Sequence, residues 1–153
     1  MINVIGEEKE VLVKYVPVNG YDIVSPLEEL ENGDYIDLRA AETVAMKPGE
    51  FRLISLGVAM QLPKGYYARV VPRSSTFKKY GIIMANSIGI IDESYNGDND
   101  VWKFPAYATR YTVINYNERI AQFTIEEKKK FKIKQVDQLG NTDRGGFGST
   151  GTV

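Results

Sequence analysis

The chain has 153 residues, 43% apolar and 25% charged, with 19 Lys+Arg against 20 Asp+Glu for a net charge of −1. A chain this long forms one domain that buries roughly 68–70% of its unfolded surface without staples. The balanced charge argues against direct nucleic-acid binding. Cys and His are absent, which excludes disulfides, Cys/His zinc sites, thiol nucleophiles and Ser–His–Asp triads within the chain. Any metal must be held by oxygen, which favours Mg²⁺ or Ca²⁺. Any general base must be Asp, Glu, Lys or Tyr.

The first ten residues, MINVIGEEKE, are acidic and lack an apolar signal core. No run approaches the ~18 apolar residues of a membrane helix. A cytoplasmic protein without a membrane partner is expected. Taken in chain order, Val11–Val18 reads as a strand and Asn19-Gly20 as a turn. Ser25-Pro26-Leu27-Glu28 has the form of a capping box, and Asn32-Gly33 offers a stop, so one or two helical turns are expected there. Strands follow at Tyr35–Ala41, Phe51–Met60 and Tyr66–Val71, separated by the turns Pro48-Gly49 and Pro63-Lys64-Gly65. Ser74–Tyr80 reads as a short helix, with Lys78 and Lys79 in its last turn and Gly81 behind it. Ile82–Met84, Val101–Ala108 and Ile120–Ile125 complete the strands, and Asn96-Gly97 is a further turn.

The pattern predicts an all-β protein, a jelly-roll-like barrel or sandwich with one or two short helices. From Gly140 the composition changes. The last 14 residues hold five glycines and almost no aliphatic side chain, too little surface to order alone. The expected organisation is a domain over 1–139 and a flexible C-terminal arm over 140–153.

Several short stretches can carry chemistry. Arg73-Ser74-Ser75 follows a strand and opens a helix, where free N–H groups suit a phosphate and Arg73 adds a bidentate cation. The plainer reading is an N-cap serine beside a surface arginine. Ile90-Ile91-Asp92-Glu93-Ser94-Tyr95-Asn96-Gly97-Asp98 carries an apolar strand into an acidic turn. A carboxylate at a strand end can orient a water, and Asp92 can equally be a turn-forming residue. Asp37 interrupts a strand pattern, either facing solvent or pairing with Arg39 or a phosphate-binding arginine. Gly146-Phe147-Gly148-Ser149-Thr150-Gly151 matches G-x-G-x-x-G in letters, but it has no βαβ context, and Thr152 stands where a P-loop needs Lys. Its glycine N–H groups, beside Arg144 and two hydroxyls, can still wrap an anion; an unordered tail is the alternative. Lys128–Lys130 reads as a solvated charge cluster.

The order of these stretches is more specific than any one of them. Asp-Leu-Arg-Ala-Ala (37–41), Pro-Arg-Ser-Ser (72–75), Gly-Ile-Ile-Asp-Glu-Ser-Tyr-Asn-Gly-Asp (89–98), Glu-Arg-Ile-Ala-Gln (118–122) and Arg-Gly-Gly-Phe-Gly-Ser-Thr-Gly (144–151) resemble the five ordered motifs of the trimeric deoxyuridine triphosphatase (dUTPase) family, in its Bacillus and phage form. The resemblance implies a jelly-roll subunit and a homotrimer whose active sites are each built from more than one subunit. It implies Mg²⁺-dependent hydrolysis of dUTP to dUMP and pyrophosphate, which limits uracil incorporation into DNA and supplies dUMP for thymidylate synthesis.

By the same resemblance, Asp92 is the water-orienting carboxylate and Tyr95 packs under the deoxyribose. Asn86 and the backbone of the 86–97 hairpin, including Gly89 and Ile91, read uracil. Arg73, Ser74, Ser75 and Gln122 contact phosphate, and Asp37 and Arg39 support them. Phe147 and Gly148 close over the base, with Arg144, Ser149 and Thr150 near the outer phosphates. Arg144 stands only three residues before Phe147, two closer than the family's usual arginine. Mg²⁺ would be held mainly by substrate phosphates and waters, with no direct protein ligand.

Two other readings stand beside this one. A dCTP deaminase shares the fold and parts of the motif set. A dUTP-gated interaction protein with a protein regulator would use the 19–34 insert, with Glu28, Glu29 and Glu31, as its docking surface.

Overall fold

A computed structural model gives the fold over residues 8–29 and 33–148. Expectations for 1–7, 30–32 and 149–153, including Glu31, Ser149 and Thr150, lie outside the described residues. The strands are β1 (Leu12–Tyr15), β2 (Ile36–Arg39), β3 (Val44–Met46), β4 (Phe51–Ser55), β5 (Val58–Gln61), β6 (Tyr66–Pro72), β7 (Ile82–Met84), β8 (Gly89–Ile91), β9 (Lys103–Ala108), β10 (Thr112–Ile114) and β11 (Arg119–Glu127). One helix, α1 (Thr76–Tyr80), separates β6 from β7.

Pairing is antiparallel throughout. A four-stranded sheet runs β2-β11-β6-β8, a three-stranded sheet runs β4-β9-β7, and the pairs β1-β5 and β3-β10 close the jelly roll. The period-2 pattern decides which face is buried. In β9, Phe104, Ala106 and Ala108 point into the core while Lys103 and Tyr107 point out. In β6, Ala68 and Val70 do the same. Leu38, Ile54, Leu56, Trp102, Phe104 and Ile120 are fully buried between the sheets. Trp102 meets Phe123 edge to face at 5.2 Å, the arrangement favoured by ring quadrupoles.

The structure revises the expected elements in three places. Phe51–Met60 is two strands, because Gly57 sits at φ 69° and turns the chain between them. A Cβ there would lie 3.1 Å from Ala41 Cβ, a tight contact in a left-handed conformation that favours glycine. The short strands β3 and β10 were not expected; each spans three residues and is held by its partner, not by a local signal, whereas β8 is the apolar strand read ahead of Asp92.

The capping box at 25–28 forms no helix among the described residues. Asn117 takes the serine instead: its Oδ1 accepts the Ser25 N–H at 2.8 Å and its Nδ2 donates to Ser25 Oγ at 2.8 Å. The Leu27 N–H donates to the Tyr15 hydroxyl at 2.8 Å. A cap oxygen and a first-turn amide are thus both consumed by distant partners. By contrast α1 forms as expected, with Lys78 and Lys79 in its last turn and Gly81 left-handed at φ 66°.

Candidate active site

The register of the four-stranded sheet gathers one polar group. Asp37 on β2 stands opposite Gln122 on β11, and Gln122 stands opposite Val71 on β6. Directly opposed side chains share a face, so Asp37 and Gln122 emerge side by side. Arg73, just beyond β6, reaches Asp37 with Nε 3.1 Å from Oδ1. Arg119 approaches the other oxygen, with Nη1 3.7 Å from Oδ2. Gln122 Nε2 donates to the Pro72 carbonyl at 3.2 Å. Arg39 lines the same small cavity as Asp37 and Arg119, and its Nη1 donates to the Asn117 carbonyl at 2.8 Å, which braces the turn before β11.

Thr76 fixes the start of α1. It is 1% exposed, its Oγ1 accepts the Arg73 N–H at 3.0 Å, and its hydroxyl donates to the Ile120 carbonyl at 2.8 Å. Ser75 occupies the N-cap without a side-chain cap bond. The hydroxyls of Ser74 and Ser75 are therefore left at the exposed mouth beside Arg73. Glu118 anchors the same region. Burial pushes its carboxyl up, but the Tyr80 hydroxyl, the Asn115 N–H and Lys79 outweigh it and bring it down to about 2.

A second group forms where β8 ends. Asp92 is 55% exposed at its side chain. Its Oδ2 accepts the Ser94 N–H at 2.9 Å and the Ser94 hydroxyl at 2.5 Å. Its Oδ1 accepts from Lys128 Nζ at 2.8 Å. These bonds, the lysine ammonium first, hold its carboxyl well below the usual carboxylate range. Tyr95 hangs from the same turn: its N–H donates to the Asp92 carbonyl at 3.0 Å and its hydroxyl to the Val101 carbonyl at 3.0 Å. Ile90, Ile91, Asp92, Ser94 and Tyr95 line an open cavity of about 420 Å³.

Asn86 lies in the exposed turn before β8, which Ser87 enters at φ 64°. Gly89 packs closely against β6: a Cβ there would stand 3.2 Å from Val70 Cβ, a tight contact.

These two groups sit at opposite ends of β6. Ile91 pairs with Ala68, and Ala121 with Pro72, about 13 Å apart along the strand at ~3.3 Å per residue. Within one chain the structure does not bring Asp92 and Arg73 together. Among the described residues of the tail, Arg144 and Gly148 are exposed, and Phe147 is wholly exposed at φ 50°. Lys128, read from sequence as solvated, is instead bonded to Asp92 and to Glu93. Arg119 and Thr76 were likewise not singled out; Arg119 stood inside Glu-Arg-Ile-Ala-Gln, and its role appears only once the register places it by Asp37.

The fold and the two groups define a jelly-roll protein with a carboxylate–guanidinium group at one sheet end and an ionised, partly exposed carboxylate at the other. The dUTPase family model matches residues 31–151, and the chain belongs to that family. The SPbeta prophage-derived deoxyuridine 5′-triphosphate nucleotidohydrolase of Bacillus subtilis (strain 168) is 61% identical over 127 residues, 82% of this chain and 89% of that protein. The deoxyuridine 5′-triphosphate nucleotidohydrolase of Maricaulis maris (strain MCS10) is 39% identical over 147 residues, 92% of this chain and 96% of that protein.

Among solved structures, the Staphylococcus bacteriophage 80alpha dUTPase with dUPNHPP superposes with a TM-score of 0.72 at 25% identity, covering 94% of this chain and 99% of that one. A dUTPase from phage phi11 of S. aureus, described for its coordination of a structural Mg(II) ion, shares the fold with a TM-score of 0.68 at 19% identity, covering 86% of this chain and 99% of that one. No helix among the described residues is long and apolar enough to cross a membrane.

Proposed function

We propose that this chain hydrolyses dUTP to dUMP and pyrophosphate, with Asp92 aiming a water at the α-phosphorus in a site shared between copies of the chain. The observation that carries the reading is an ionised carboxylate at the lip of a cavity lined by Ile90, Ile91 and Tyr95, in a chain of the dUTPase family. The separation of Asp92 from Arg73 supports a shared site. One copy supplies the Arg73, Ser74, Ser75 and Gln122 end, and another supplies the 86–97 hairpin.

The chemistry then follows from charge and position. Hydrolysis at phosphorus needs an aligned water and neutralised phosphate oxygens. Arg73, held by Asp37, presents its guanidinium without first having to order it. On this reading Mg²⁺ arrives on the triphosphate and is held by phosphate oxygens and waters. When bound, Mg²⁺ supplies charge neutralisation and a better pyrophosphate leaving group. Asp92 has only to orient and polarise the water, a role worth ~10²–10⁴-fold. Tyr95, pinned at both its N–H and its hydroxyl, gives a rigid floor for a deoxyribose, against which a ribose 2′-OH would clash. Asn86 and the hairpin backbone match the donor and acceptor edge of uracil, and a cytosine amino group would leave buried partners unpaired.

A homotrimer is part of the same proposal. Phe51, Tyr107 and Ile83 lie in one row across β4, β9 and β7, and are exposed at 55%, 40% and 47%. Such a row is suited to burial against another copy. For a protein regulator, the 19–34 segment remains the surface to test, since Tyr21 and Ile23 are exposed there; a purified regulator should bind wild-type protein and not the Tyr21→Ala/Ile23→Ala protein.

The experiment on function is direct. The protein is given dUTP or dCTP with Mg²⁺, and pyrophosphate and ammonia are measured. Pyrophosphate from dUTP alone is expected, and Asp92→Asn should bind dUTP normally while losing at least ~10²-fold in turnover. Ammonia from dCTP, or an active Asn variant, overturns the assignment.

A further inference from the structure

One end of the four-stranded sheet ties three segments together. β8 and β11 both run antiparallel to β6, one on each side of it. They therefore run parallel to each other and end together, beside the Pro63-Lys64-Gly65 turn that starts β6. Glu93 leaves β8 at this point, and Lys128 leaves β11. Gly65 fastens both: its N–H donates to Glu93 Oε2 at 2.9 Å, and its carbonyl accepts the Lys128 N–H at 2.8 Å. Lys128 Nζ then spans Glu93 Oε1 at 3.0 Å and Asp92 Oδ1 at 2.8 Å. The side chains of Lys128 and Glu93 are 34% and 30% exposed. A lysine fixed at its backbone and by a second carboxylate has already given up the freedom that makes most surface pairs weak.

We propose that Lys128 is a positioning residue for Asp92: anchored by Gly65 and Glu93, it sets the direction in which the carboxylate faces and keeps it charged. This rests on the reading of Asp92 as the water-orienting group. Each carboxylate oxygen offers about two acceptor directions. Ser94 fills both at Oδ2, and Lys128 fills one at Oδ1. The direction that remains, at Oδ1, is the one open to a water. Among the described residues, the charged groups bonded or adjacent to Asp92 are Lys128 from beyond β11 and Glu93 from its own turn, with Ser94 as the polar donor. Glu93 alone would disfavour a charged Asp92; Lys128, bonded to both carboxylates, reverses that.

The test reads charge and chemistry separately. The Asp92 carboxyl is titrated by ¹³C NMR, and the pH profile of kcat/KM for dUTP is recorded, in wild-type protein, Lys128→Met, Lys128→Arg and Lys129→Met. Lys129 is exposed and removes the same charge outside the cluster. In Lys128→Met the carboxyl should titrate at least ~1 pH unit higher, and the acid limb of the profile should rise with it. Its kcat should fall about tenfold with KM nearly unchanged. Lys128→Arg and Lys129→Met should keep the wild-type titration. Superimposable curves for wild type and Lys128→Met, or an equal shift in Lys129→Met, overturn the proposal. Wild-type protein that leaves dUTP intact overturns the proposed function instead, and the carboxyl titration still decides whether Lys128 governs Asp92.

Discussion

Asp37 Oδ1 lies 3.1 Å from Arg73 Nε, although Asp37 is on β2 and Arg73 follows β6, with β11 between the two strands. The contact exists because β11 places Gln122 between them, opposite Asp37 on one side and Val71 on the other. Asp37 also draws in Arg119 at 3.7 Å. One carboxylate thus aligns two guanidinium groups at the mouth beside Ser74 and Ser75.

Asp37→Asn keeps the shape of this group and removes its charge. Two effects compete. Losing a negative charge favours a triphosphate, but that gain is screened at an exposed site. Losing the partner frees Arg73 to wander, and an oriented, charge-assisted contact is worth more. The KM for dUTP should rise about tenfold, or ~1.4 kcal/mol, with kcat changed less. Steady-state kinetics decide it: an unchanged or lower KM would show that Asp37 merely balances charge.

A shared site has a signature that no single-chain site can produce. Asp92→Asn and Arg73→Ala proteins should each be nearly inactive alone. If they are mixed, unfolded and refolded together, a copy with intact Arg73 can meet a copy with intact Asp92. Random mixing in a cyclic trimer restores about a quarter of the sites. Activity per mole should climb toward that fraction of wild type. A mixture no better than its components would place both residues in one chain's site.

The sequence carried much of this, and its failures have physical causes. β6 and β9 were legible because alternation and β-branched or aromatic residues fix their faces. β3 and β10 were not, since three residues give too short a period and their pairing is with each other across the chain. The Ser25 box misled because Asn117, 92 residues away, competes for the same serine. The order of the motifs points to the family, which the family model matches, and the structure adds the register that joins Asp37, Arg73 and Gln122. Lys128 was invisible in a run of lysines, because only the parallel course of β8 and β11 brings it to Asp92.

The C-terminal arm gives the last prediction. Phe147 is wholly exposed, so the core owes no stability to its ring. Gly145, Gly146 and Gly148 all take positive φ, a conformation in which other residues are strained. Ordering such a segment costs ~1–2 kcal/mol per residue, a cost that a bound triphosphate and base can offset and an empty site cannot. We expect the arm over 140–153 to act as a closing element and not as part of the domain's frame. Deleting residues 144–153 should therefore lower turnover of dUTP by tenfold or more. The state of assembly in solution and the thermal midpoint should stay as in the full chain, because among the described residues none of the buried core lies beyond Phe123. Phe147→Ala alone should reproduce a large part of the kinetic loss if the ring covers the base. Full turnover in the truncated protein would end the closing role, whereas dissociation on truncation would assign the segment to assembly.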